Sequence, residues 1–270
     1  MSGARGANHR DRGGWAGEYL SLDVAGAVAT LTIDRPAKRN AMSYDMWAAL
    51  PGLLAKVDVD DSVRALVIRG TDHFSAGADI SEFESLRADP DGARRYGAAV
   101  HAGERAIAGL RKPTIAAITG VCVGGGCEIA LACDLRIAAD DARFGITPAK
   151  LGIVYNFTST KQLVDAVGPA WARQILFTAD LVDAATALRV GLVNELHPAD
   201  SVVARGIQLA ETMAARSQVS VRGAKSIISR ITDGRYEEDN AVRALYELSV
   251  LSSDYAEGVR AFLETRPPHF

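Results

Sequence analysis

The spacing of apolar and polar positions changes along the chain, and those changes mark out its elements. Residues 19–24 and 27–33 alternate in strand fashion about Ala25-Gly26, the pattern of a hairpin. Met46, Leu50, Leu53, Leu54 and Val57 then recur at helical spacing behind Ser43, a residue type that caps a first turn. Pro51 falls inside this helix and is expected to kink or shorten it, because it offers no N–H and crowds the preceding turn. Residues 64–68 read as a short buried strand, 70–79 as a loop, and 92–110 as a long helix ending before Pro113. A strand over 114–119 leads into Gly124-Gly125-Gly126, a helix over 127–132 and a strand over 134–138. Helical patterns follow over 158–167, 170–177, 183–190, 201–215, 219–231, 236–251 and 255–264, broken by one strand signal at 192–196.

The front half thus repeats strand, strand, helix, the back half is largely helical, and no low-complexity linker divides them. The expectation is an α/β chain: a disordered Gly- and Arg-rich tail over 1–14, a core carrying the site over 15–200, and a helical C-terminal region over 201–270.

Composition narrows the function. The 270 residues suffice to bury a large core, and a formal net charge of −3 gives no footprint for nucleic acid or an anionic membrane. Any anionic ligand must be held by local groups. Cys122, Cys127 and Cys133 are an odd set without zinc spacing, and the five histidines are scattered, so neither a disulfide framework nor a metal site is expected. No apolar run approaches the ~20 residues of a bilayer span, and a soluble, cytoplasmic protein is expected.

Two glycine-containing loops follow buried strands and carry the candidate chemistry. The first reads Phe74-Ser75-Ala76-Gly77-Ala78-Asp79, and the second, about 45 residues on, Gly124-Gly125-Gly126-Cys127-Glu128. Each can bring a backbone N–H into a site with no side chain in the way, and the second opens a helix whose N-terminal amides favour negative charge. Nucleotide-binding readings fail: a dinucleotide fingerprint from Gly124 would need glycine where Ile129 stands, and a phosphate loop from Gly120 would need lysine where Gly126 stands.

Together these loops resemble the paired signature of the crotonase (enoyl-CoA hydratase/isomerase) family. Further matches are Asp34-Arg35-Pro36 to Asn40-Ala41, residues 133–138, 187–193 and 257–264, so the resemblance covers essentially 19–270. It implies a spiral of strand-strand-helix turns with a helical trimerisation region, in a homotrimer or dimer of trimers acting on an acyl-CoA. It also implies that the N–H groups of Ala78 and Gly125 stabilise negative charge on a thioester carbonyl oxygen. Losing one such donor typically costs ~10²–10³ in rate. For CoA, the matching positions are Ala37, Lys38, Ala76, Asp79, Ile80 and Gly124, with Lys38 and Arg39 available to phosphate. No cofactor is implied beyond the CoA moiety of the substrate itself.

The family's hydratases divide acid and base work between two glutamates. The first matches Glu128; the second aligns with Pro148, which cannot move a proton. The segment 147–156 instead resembles the family's methylmalonyl-CoA decarboxylase branch, where the residues matching Thr147 and Tyr155 lie beside a substrate carboxylate. Against this, Ala78 follows the hydratase form. The expectation leans slightly to an acyl-CoA lyase decarboxylating a malonyl-type thioester, with a hydratase or isomerase using Glu128 alone as the alternative. A thioester hydrolase on the same scaffold would need a placed water and base. An RNA-binding relative without catalysis is disfavoured by the net charge of −3 and the lack of a basic helix.

Overall fold

A computed structural model of the chain describes residues 15–16 and 18–270; the tail expected over 1–14 lies outside the described residues. Strands β1 (Trp15–Ala16), β2 (Leu20–Ala25) and β3 (Val28–Ile33) open the fold, β2 and β3 pairing antiparallel with Leu22 opposite Leu31. Helix α1 (Tyr44–Val59) follows, and Ser43 caps it by accepting from the Met46 N–H at 3.3 Å. Pro51 does not shorten it: α1 continues for two further turns. Leu50, Leu54 and Val57 are buried on its inner face, and that burial outweighs the ~3 kcal/mol an interior proline costs.

Next come β4 (Ala65–Gly70), the single turn α2 (Phe83–Leu86), and α3 (Pro90–Ala108), which Asp89 caps through the Gly92 N–H at 2.7 Å. Strands β5 (Thr114–Ile118) and β6 (Val121–Val123) lead into α4 (Gly125–Ala132), β7 (Leu135–Ala139) and β8 (Arg143–Gly145). Helix α5 (Phe157–Thr178) breaks at Gly168, whose φ of 71° and ψ of 164° separate the two helices expected there. The chain ends with β9 (Val182–Asp183), α6 (Ala184–Arg189), β10 (Glu195–His197), α7 (Val202–Ala214), α8 (Gln218–Thr232), α9 (Asn240–Leu251) and α10 (Ser253–Leu263).

The larger sheet runs β1-β2-β3-β4-β5-β7-β10 and is parallel from β3 onward; the smaller runs β6-β8-β9. Bridges Ser75–Cys122 and Met42–Ala78 extend the smaller layer towards the front of the chain. Each turn therefore gives one strand to either layer before its helix, the spiral that the repeat implies. Strands β6, β8 and β9 are two or three residues long, too short for periodicity to reveal.

One expected boundary blurs. Helix α7 packs on the larger sheet, with Gly206 against Val67, Ala117 and Ile137, so the start of the C-terminal region belongs to the core. Beyond it, α8, α9 and α10 each bury a single residue: Gly223, Val242 and Ala261.

Candidate active site

The two glycine loops are stitched together by backbone. Ser75 donates its N–H to Val121 O at 3.0 Å and accepts from the Val123 N–H at 2.9 Å. Its hydroxyl donates to Asn40 O at 2.7 Å and accepts from the Gly77 N–H at 3.1 Å. Gly77 turns the loop at φ +97°, where a Cβ would lie 2.7 Å from Val123 O; only glycine fits both the conformation and the space. On either side of Ala78, Met42 donates to Gly77 O at 2.7 Å and Asp79 donates to Met42 O at 2.9 Å. Ala78's own N–H has no acceptor among the described residues, and neither has that of Gly125, the first residue of α4. A Cβ on Gly125 would stand 3.4 Å from Ala78 N and 3.5 Å from Glu128 Oε2. Two unpaired amides and a carboxylate thus border a space that one methyl group would invade.

One turn into α4, Glu128 is 7% exposed. Its Oε1 accepts long hydrogen bonds, 3.4 Å each, from Asn156 Nδ2 and Ser159 Oγ. Burial raises its proton affinity above the usual carboxylate range, and the neighbouring Glu104 carboxylate adds to the shift. Tyr155 lies against Glu128, its hydroxyl buried and without a well-aligned partner. Burial, and then Glu128, push that phenol well up.

Sequence reasoning missed the groups behind Glu128. Glu104 on α3 is wholly buried; its Oε1 lies within hydrogen-bond distance of the Ser159 hydroxyl, and its Oε2 has no hydrogen-bond partner among the described residues. Asn156 caps α5 by accepting from the Ser159 N–H at 2.8 Å, which leaves its amide free to meet Glu128. Trp47 of α1 sets its ring edge against Gly125. The signal for Glu104 was present: Tyr96, Val100 and Glu104 follow at four-residue steps, which places a carboxylate on the apolar stripe of α3. Buried polar atoms are ordinarily paired, yet Trp47 Nε1, Tyr96 Oη, Glu104 Oε2 and Tyr155 Oη all lack partners here.

Of the other residues singled out, Thr147 is half-buried at the head of the turn Pro148–Lys150, and its side chain makes no hydrogen bond among the described residues. Ala37, Lys38 and Arg39 are exposed beside the first loop; Ala76 donates to Arg39 O at 2.9 Å. Lys38 Nζ lies 3.7 Å from Asp79 Oδ1, while Arg39 has no side-chain partner among the described residues. Asp79 is turned inward, 2.7 Å from Arg35 Nη1. Burial alone would raise its carboxyl, but bonds from Ser81 and Arg35 prevail and hold it down at about 2. Ile80 is 46% exposed, and Gly124 donates to Gly145 O at 2.7 Å. A separate concavity of about 380 Å³, lined by Tyr255, Val259, Phe262 and Phe270 among others, shares none of these residues.

Residues 23–270 match the family model described as enoyl-CoA hydratase/isomerase. The chain is 35% identical over 256 residues to a crotonyl-CoA hydratase of Syntrophomonas wolfei, covering 94% of this chain and 98% of that protein. It is 36% identical over 211 residues to a short-chain-enoyl-CoA hydratase of Clostridium acetobutylicum, covering 77% and 80%. Among solved structures, an enoyl-CoA hydratase/carnithine racemase from Magnetospirillum magneticum superposes with a TM-score of 0.90 at 33% identity, over 94% of this chain and 96% of that one.

Proposed function

Since the chain belongs to the enoyl-CoA hydratase/isomerase family, we propose that it hydrates a short 2-enoyl-CoA, with Glu128 as the single carboxylate that touches substrate. The observation that carries this reading is the pair of unpartnered amides, Ala78 and Gly125, beside the buried Glu128 carboxylate. A thioester oxygen set between the two N–H groups gains its negative charge as water adds at C3, where fixed donors stabilise the transition state more than the ground state. Glu128 takes the proton from the attacking water and returns it to C2; the bonds formed are C3–O and C2–H, and those broken are one O–H of the water and the C2–C3 π bond. Its raised proton affinity suits both halves of that exchange near neutral pH.

Decarboxylation of a malonyl-type thioester gains no support from these relatives, which are named hydratases. The electrostatics also disfavour it. A substrate carboxylate placed beside Tyr155 would face Glu128, with Glu104 behind it, and like charges in a desolvated site repel strongly. Isomerisation by the same carboxylate shares this geometry, but there the proton is taken from one substrate carbon and returned to another, and no C–O bond forms.

Lys38 and Arg39, exposed beside the first loop, are assigned to the CoA phosphates, and no cofactor beyond that CoA is assigned. The apolar side chains bared on α8–α10, among them Ile228, Leu251, Phe262 and Leu263, are assigned to contacts between copies in a trimer or dimer of trimers. Among the described residues no helix is long and apolar enough to cross a membrane, and we assign the protein to the cytoplasm. The test is hydration of crotonyl-CoA, followed by loss of the enoyl absorbance. Glu128→Gln is expected to lower kcat by ~10²–10⁴ with little change in KM. Turnover by that variant at the wild-type rate, or free CoA as the product, would overturn the reading.

A further inference from the structure

We propose that Glu104 is the second carboxylate of this site, holding one proton in common with Glu128 through the hydroxyl of Ser159. The inference deepens the hydratase reading and rests on it for its place in turnover. It starts from Pro148, which leaves that stretch of the chain without a second acid, and from the wholly buried carboxylate of Glu104 on α3.

The geometry is that of a relay. Ser159 Oγ lies within hydrogen-bond distance of both Glu104 Oε1 and Glu128 Oε1. A serine hydroxyl has one proton and donates to one acceptor. With its hydrogen on Glu128, the closer contact to Glu104 must be made by a proton on Glu104 donated to Ser159. In that form Glu128 is the carboxylate, held by Ser159 and Asn156, and Glu104 is the neutral acid; with the serine hydrogen on Glu104 the two roles are exchanged. Passing the Glu104 proton to Ser159 Oγ, and the Ser159 proton to Glu128 Oε1, inverts the two forms with no net change of charge.

The surroundings favour one proton for two acids. The groups facing the pair are His101, whose Nδ1 is 3.8 Å from Glu104 Oε2, Tyr155 and Cys127 beside Glu128, and the Tyr96 hydroxyl on the same helix as Glu104. Among the described residues no lysine or arginine adjoins either carboxylate, so ionising both would bury two like charges with only the His101 imidazole nearby. Because Glu104 is wholly buried behind Ser159, it acts through Glu128 and is a positioning residue. It sets the form in which Glu128 rests and the pH at which that form changes.

The test is infrared titration of the buried carboxyl groups, with steady-state rates alongside. In the wild type one protonated-carboxyl band is expected to persist through neutral pH. In Glu104→Gln, whose amide can still donate to Ser159, the Glu128 midpoint should fall by about one pH unit or more. The acidic limb of kcat should fall with it, with KM for crotonyl-CoA within about twofold. Ser159→Ala should keep the raised midpoints but lower kcat, because charge still couples the acids while the proton path is cut. A wild-type band that vanishes in the ordinary carboxylate range, or a Glu104→Gln titration and pH profile like the wild type's, would overturn the inference while leaving hydration intact. Failure of the wild type to turn over any enoyl-CoA would instead remove the hydratase reading, and the infrared midpoints would still decide whether the two acids share a proton.

Discussion

A single carbon added at Gly125 would stand 3.4 Å from the nitrogen of Ala78, inside the space those two amides border. The same carbon would lie 2.9 Å from Trp47 Cζ2, closer than packed side chains tolerate. Gly125→Ala is therefore expected to remove catalysis through the anion site: kcat on crotonyl-CoA should fall by ~10²–10³, as when one donor of such a hole is lost. Thermal unfolding should show a smaller loss than Gly77→Ala, where the φ of +97° and a Cβ 2.7 Å from Val123 O strain the backbone itself. A Gly125→Ala protein with wild-type kcat would show that nothing charged binds between these nitrogens.

Tyr155 separates the two chemistries that segment 147–156 raised. Its hydroxyl is buried without an aligned partner and faces a carboxylate. Deleting an unpaired buried hydroxyl costs little and can even stabilise. Tyr155→Phe is expected to keep hydration within about tenfold and to leave the unfolding midpoint unchanged or raised. The measurement compares crotonyl-CoA and methylmalonyl-CoA as substrates for wild type and variant. Loss of an appreciable methylmalonyl-CoA decarboxylation on making Tyr155→Phe would restore the decarboxylase reading.

What the chain discloses in advance follows from how local each signal is. Ser43, Asp89 and Asn156 act within one turn of their own helices, and the start of α1 is read from Ser43 together with the apolar spacing behind it. The Gly77 and Gly125 loops are legible because φ and close approach restrict them to glycine. Pro51 misled as to the length of α1, since its local cost was overcome by tertiary burial of Leu50, Leu54 and Val57. Glu104, Ser159 and Glu128 come from α3, α5 and α4, up to 55 residues apart in the chain, and no local pattern states that they meet. The hint on α3 was a charge on an apolar stripe, which reads as an irregularity until the fold supplies the facing residue.

The buried pair also makes stability depend on pH in a direction that can be worked out. Burial comes first in raising both Glu104 and Glu128 above the 4.5 of a free glutamate. The folded state therefore binds more protons than the unfolded chain once the pH passes about 4.5. A group of this kind contributes stability that is fully present below its unfolded midpoint and is lost as pH rises through the folded one. Each pH unit of elevation is worth about 1.4 kcal/mol. Asp79 runs the other way: held down at about 2, its contribution is present above 3.8 and lost as pH falls toward the folded midpoint, so the two effects occupy separate windows. Urea unfolding at about pH 5 and about pH 8 isolates the pair. Wild type is expected to be less stable at the higher pH, and Glu104→Gln, which deletes one of the two acids, should lose less over the same interval and exceed the wild type at about pH 8. Equal pH slopes for the two proteins would mean that these carboxyl groups ionise freely in the folded state, and that the interior around Ser159 is far better solvated than its burial allows.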